Sequence, residues 1–240
     1  MYVTIVLSMV NEITSTASKL KEHWWHIWSC QRCNSSADDK SELTREKILM
    51  AAFEEIHHRG FQAASLSNIL KNTGITKGAL YHHFKNKNEL GYAVVDEIIY
   101  QTVRKNWIEP LDDTDDPIST LQQILIESGE QMTEVDVRQG CPLNNLSLEM
   151  SPIDENFRQR ITTVYAAWQE AIEKACERAI VAGNMRQDAD SKQLSLLFVA
   201  TLEGCMGFAK SSQSLETLMQ CGHGLITQLE LLRPTPTARD

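Results

Sequence analysis

Backbone breakers are scarce in this chain. Its 240 residues hold 11 Gly and 6 Pro, against about 17 and 12 at average usage, which disfavours a turn-rich β sandwich and points to helices. No stretch approaches the roughly 18 uninterrupted apolar residues of a membrane span. The apolar residues 1–10 carry neither the basic flank nor the small-residue cleavage site of a secretory signal. The chain is therefore expected to be soluble and cytoplasmic, with no membrane partner. No segment alternates as a strand would, and no internal repeat occurs. With 42% hydrophobic and 23% charged residues, disordered and fibrous classes are excluded. Of six cysteines, Cys141, Cys176, Cys205 and Cys221 stand in apolar or helical text. They are expected as buried thiols in a reducing compartment, not as a disulfide framework.

Acidic residues are unevenly spread, and the longest stretch without one lies in the N-terminal half. The net charge is −9, yet residues 1–40 carry four cations against four anions and residues 41–100 carry seven against seven. The deficit, twelve against twenty-one, lies wholly after residue 100. Residues 56–88 contain no acid but include Arg59, Lys71, Lys77, Lys85, Lys87 and four His. A polyanion, which the net charge alone would repel, is expected to meet the chain there.

The length fits one domain or a small domain fused to a larger one. Residues 1–40 show no sustained period and end in the polar cluster Asn34-Ser35-Ser36-Ala37-Asp38-Asp39, a linker by composition. Leu43, Ile48, Ala52 and Ile56 then recur at helical spacing, with Thr44 as a cap and Gly60 as a left-handed stop. Two short helices follow, one capped by Ser65 and one by Thr76, around the turn Thr73-Gly74. A longer pattern covers residues 87–107, and after the Asp- and Pro-rich residues 109–117 helical text runs on to residue 232, broken at Gly140-Cys141-Pro142, Ser151-Pro152 and Gly183. The expected fold is all-α: an N-terminal three-helix helix-turn-helix DNA-binding domain plus a larger helical ligand-binding and dimerisation domain. Its divisions are a poorly ordered extension (1–40), a DNA-binding domain (41–88), the larger domain (89–233) and a tail (234–240).

Residues 65–84 have the spacing of a helix-turn-helix. Ser65 and Thr76 place hydroxyls at helix N-termini, where free N–H groups bind phosphate. Lys77 can reach a phosphate or a guanine edge. Gly78 removes a side chain where backbone meets groove, and Ala79 is small enough to lie on a thymine methyl. Tyr81, His82 and Lys87 extend towards phosphates, while Leu80 and Phe84 are core.

Residues 44–100 resemble the DNA-binding domain of the TetR family of bacterial repressors. The likeness is carried by Gly74-Ile75-Thr76-Lys77-Gly78-Ala79-Leu80-Tyr81-His82-His83-Phe84 with Lys85, Lys87 and Leu90, and by Ile48, Ala51-Ala52-Phe53 and Gly60-Phe61 in the first helix. It spans about a quarter of the chain. Beyond it, Gly140-Cys141-Pro142-Leu143-Asn144-Asn145 before a short helix is similar to what some members carry. The resemblance implies a homodimer, a double-stranded operator with two half-sites, and a small-molecule inducer that lifts repression.

Small side chains at Ala200, Gly204, Gly207 and Ser211 form a strip along one helix face, and Leu218, Leu225 and Leu229 recur on the last helix. Together they are expected to form a four-helix dimer interface. Trp107, Met132, Phe157, Tyr165 and Trp168 are candidates to line an apolar cavity. Cys141 joins them, either as an unreactive small residue or as a sensor thiol whose pKa a helix N-terminus lowers. His23, His26, Cys30 and Cys33 are four donors in eleven residues, but they lack the long connection between ligand pairs of common zinc modules, so no metal is assigned. No acid, base or metal groups converge at helical spacing, so no catalytic residue and no cofactor is assigned, and an enzyme on a helical bundle is the weaker reading. The other alternative is a helix-turn-helix activator or architectural protein without an effector.

Overall fold

The computed structural model describes residues 37–234, residue 72 excepted. The extension, with its Trp24, Trp25, Trp28 and the four donors from His23 to Cys33, lies outside the described residues, as does most of the tail. Every regular element among the described residues is helical.

Helix α1 (Ala37–Arg59) starts earlier than the polar cluster implies. Thr44 therefore lies inside it instead of capping it, and Ala37, Asp38 and Asp39 belong to its first turn. It ends at Gly60, whose φ of +82° needs a residue without Cβ strain. Helix α2 (Leu66–Leu70) is capped by Ser65, whose Oγ accepts the Asn68 N–H at 3.1 Å. Gly74, at φ +71°, makes the turn. Helix α3 (Lys77–His83) is capped by Thr76, whose Oγ1 accepts the Ala79 N–H at 3.2 Å. Ile48, Ala52, Ile56, Ile69, Leu80 and Phe84 bury the inner faces of these helices.

Asn86 caps α4 (Lys87–Ala93). The rod continues unbroken through a π-helical segment (Val94–Ile99), α5 (Tyr100–Val103), a second π-helical segment (Arg104–Ile108) and a 3-10 turn (Glu109–Leu111). In the π segments the Tyr100 N–H bonds to Val95 O and the Glu109 N–H to Arg104 O, five residues back in each case. The larger part of the chain then adds α6 (Pro117–Gln131), α7 (Glu134–Gln139), α8 (Pro142–Met150), α9 (Glu155–Ala182), α10 (Ser191–Ser212) and α11 (Leu215–Glu230). Asp116, Thr133, Asp154, Asp190 and Ser214 each cap the helix that follows them. Gly183, at φ +76°, ends α9.

Among the described residues α10 alone is long and apolar enough to cross a membrane, but Phe198, Val199, Cys205 and Ala209 bury one side of it in the core. The thiol expectation fails at two positions: Cys205 and Cys221 form a disulfide between α10 and α11, their Cα atoms 5.8 Å apart. Sixteen residues of sequence separate them, and only the antiparallel return of α11 brings them together. Cys141 and Cys176 are free thiols.

The head is keyed to the body by specific contacts. The Glu149 carboxylate accepts the N–H groups of Phe61 and Gln62, each at 2.8 Å. His57 Nε2 donates to the Gly140 carbonyl at 2.7 Å. Gly91 lies where a Cβ would meet Phe61 at 2.4 Å and Phe157 at 2.7 Å, so only glycine lets α4 sit between those rings.

Candidate nucleic-acid interface and effector site

Helix α3 turns Leu80 into the core and leaves Thr76, Lys77, Gly78, Tyr81 and His82 on the outside. Tyr81 is 52% exposed, so it is not a core residue. Ser65 and Ala79 are half-buried beside this strip. The hydroxyls of Ser65 and Thr76 accept cap hydrogen bonds, which leaves each O–H proton free to donate to an anion. A Cβ at Gly78 would meet nothing nearer than Thr76 Oγ1 at 3.8 Å. Nothing among the described residues therefore requires glycine at that helical position, where it costs stability relative to alanine. His83 is half-buried, and burial, then His82 and Arg45, hold its pKa below the ordinary value.

Lys87 departs from the expected set. Its Nζ donates to the Gln62 carbonyl at 3.1 Å and lies 4.7 Å from the centre of the Phe61 ring. Partial burial lowers its pKa, and the ammonium serves the junction between head and α4 instead of reaching outward.

In the body, the Trp107 and Trp168 rings lie 5.0 Å apart, and Phe198 packs edge-on against Trp107 at 6.2 Å. Tyr165, one turn before Trp168, is close enough to Glu203 and Cys141 for their charges to bear on it, although burial is the main cause of its raised pKa. Met132 is partly buried at the end of α6. Phe157 does not join them: fully buried, it packs against Phe61 at 4.7 Å and Tyr92 at 4.9 Å and belongs to the hinge with the head. The surroundings of Cys141 oppose the sensor alternative. Its Sγ–H donates to Glu203 Oε1 at 3.4 Å, and burial followed by the Glu203 charge pushes the thiol well up, outweighing the helix N-terminus.

Glu203 itself escaped the sequence reading. The available signal was its isolation, since it is the sole acid between Asp190 and Glu216. A cavity of about 470 Å³ opens elsewhere, between α1 and α8, lined by Phe53, Ile56, His57, Leu146, Glu149 and Lys210 among others. None of the six expected pocket residues lines it.

On α10, Ala200, Gly204 and Gly207 are exposed, and a Cβ on either glycine would meet nothing within 4 Å. Leu196, Leu197 and Phe208 flank them, Phe208 with 74% of its surface exposed. Leu218, Leu225 and Leu229 are instead buried in the protomer's own core. On α11 the outward strip is Gln220, His223, Gly224, Thr227 and Gln228. The period was right, but the more apolar stripe faces inward, as it does on an ordinary surface helix.

Two family models match the chain. Residues 48–94 match the bacterial regulatory proteins of the tetR family, and residues 117–223 match the C-terminal domain of LmrA/YxaF-like transcriptional regulators. The chain is 27% identical over 172 residues to the transcriptional regulator AcuR of Cereibacter sphaeroides, covering 71% of this chain and 78% of that one. It is 23% identical to the HTH-type transcriptional repressor DhaR of a Mycobacterium species, covering 73% and 87%. The crystal structure of a TetR transcriptional regulator from Chloroflexus aurantiacus superposes with a TM-score of 0.72 at 25% identity, covering 82% of this chain and all of that one.

Proposed function

Because the chain belongs to the TetR family of DNA-binding transcriptional regulators, which are not enzymes, we propose that it is a ligand-released repressor. On this reading it works in the cytoplasm and holds a palindromic operator as a homodimer. The observation that carries the reading is the exposed strip Thr76, Lys77, Gly78, Tyr81 and His82, with Ser65 and Ala79 beside it. Among the described residues nothing requires Gly78 to lack a side chain, which a close approach of helix to duplex explains. The small-residue strip of α10 with its flanking Leu196, Leu197 and Phe208 supports a second copy as partner. A relative named as a repressor supports the sign of regulation.

Half-sites lie one duplex turn apart or a multiple of it, roughly 34–36 Å per turn. A small rotation of each head therefore prevents both recognition helices from docking together. An effector among Trp107, Met132, Cys141, Tyr165 and Trp168 does this by binding the misaligned state more tightly than the aligned one. Selection of bound duplexes from a random pool tests the reading. The expected product is an inverted repeat protected as a dimer. Failure to retain any duplex at low salt, or a site without two-fold symmetry, overturns it.

A further inference from the structure

Among the described residues, two buried side-chain polar atoms have no hydrogen-bond partner: Glu203 Oε2 and Trp168 Nε1. Glu203 is 7% exposed and Trp168 3%. Native folds pair buried polar atoms because an orphan forfeits its hydration without compensation. A carboxylate is the costliest group to leave so, and among the described residues no Lys, Arg or His lies near enough to affect Glu203 and its one side-chain partner is the weak Cys141 Sγ–H donor at 3.4 Å. Trp168 stacks in an aromatic group with Trp107 and Phe198, and Glu203 lies within charge range of Tyr165, one turn before Trp168 on α9. Tyr165 and Met206, the latter one turn along α10, are only partly buried. A small molecule reaches this place only by displacing such side chains, and Met is the adaptable one of the two.

We propose that Glu203 and Trp168 are the polar anchors of the effector site, and that the effector is a small aromatic amine. Its ammonium meets the free oxygen of Glu203, and an acceptor on the same molecule takes the Trp168 N–H. The proposal rests on reading the body as an effector domain and goes beyond it by fixing the ligand's charge. Aromatic faces around a carboxylate favour a cation and repel an anion. Burial lifts the Glu203 carboxyl to about 7, so an arriving cation also ionises it.

The same carboxyl touches the route to the head. Cys141 precedes α8 and donates to Glu203, and Asn144 Nδ2 donates to the Glu203 backbone carbonyl at 3.2 Å. The neighbouring Gly140 carbonyl receives His57 of α1. A ligand that draws the Glu203 side chain away from Cys141 therefore disturbs a turn bonded directly to the DNA-binding head.

Calorimetric titration of the purified full chain with tyramine, tyrosol and 4-hydroxyphenylacetate tests the charge preference on one molecular frame. Tyramine is expected to bind at least tenfold more tightly than the other two, and Glu203→Gln, which keeps size and shape, to erase that preference. Ligand-free Glu203→Met is expected to melt above the wild type at pH 8. Equal or tighter binding of the acid, no binding of any probe, a preference that survives Glu203→Gln, or a lower melting temperature for Glu203→Met each overturns the proposal. Operator anisotropy separates the two readings. Charge-selective binding without operator release keeps the site and defeats ligand-released repression, whereas release insensitive to Glu203→Gln does the reverse.

Discussion

At the scale of single residues, Gly78 and Glu203 are both poor choices for stability, and the proposals made above account for each by a partner outside the protomer. An alanine at Gly78 has room in the free protein and removes a helix penalty of about 0.5–1 kcal/mol. Gly78→Ala is thus expected to leave thermal stability unchanged or raised while weakening operator binding tenfold or more, as read by melting and by fluorescence anisotropy on the selected duplex. For Glu203 the sign follows from its folded-state pKa of about 7 against an ordinary 4.5. Between those values the folded chain holds a proton that the unfolded chain has released, so the contribution of this group to stability falls as pH rises through that window. The loss is on the order of 3 kcal/mol and is complete above the folded value. Urea unfolding at pH 5 and pH 8 should therefore show Glu203→Gln gaining on the wild type at the higher pH. A difference between the two proteins that stays constant with pH would falsify the unpaired buried carboxylate. Sequence disclosed Gly78 because neighbouring positions carry the motif, but Glu203 has no local motif and acquires its meaning only from Cys141, 62 positions away.

At the scale of elements, the caps and stops were legible because they are local. Ser65, Thr76, Gly60, Gly74 and Gly183 each do in the structure what residue chemistry requires of them. The start of α1 was misjudged because Ala37, Asp38 and Asp39 suit a first helical turn as well as a linker. Contacts between elements were not legible: the inward turn of Lys87, the disulfide of Cys205 with Cys221, and Phe157 at the hinge all depend on which helix lies opposite. The fit at Gly91 belongs to this scale. Gly91→Ala forces a methyl into two buried rings and is expected to destabilise the chain by about 1–3 kcal/mol. A urea midpoint equal to that of the wild type would show that Phe61 and Phe157 can yield.

At the scale of the whole molecule, charge is unevenly distributed between the two ends of the chain. On the proposed function the acid-free residues 56–88 meet the polyanion, and the surplus acids of residues 101–240 would keep the rest of the surface from competing for it. If this chain assembles as proposed, the α10 strip is where a second copy docks. Placing Arg at Gly204 together with Phe208→Glu puts charges where a second copy would have to desolvate them. Sedimentation should then report a monomer, with operator affinity reduced at least a hundredfold. A variant that remains dimeric would move the interface off α10. The rod that joins head to body also carries two segments wound with hydrogen bonds reaching five residues back, ending at Tyr100 and Glu109. A wide turn of this kind stores surplus backbone, and handing it to an adjacent turn twists one end of the rod against the other without snapping it. The connection is thus expected to have torsional slack that a uniform α-helix of equal length lacks, with faster amide exchange there than along α9 as its measurable trace.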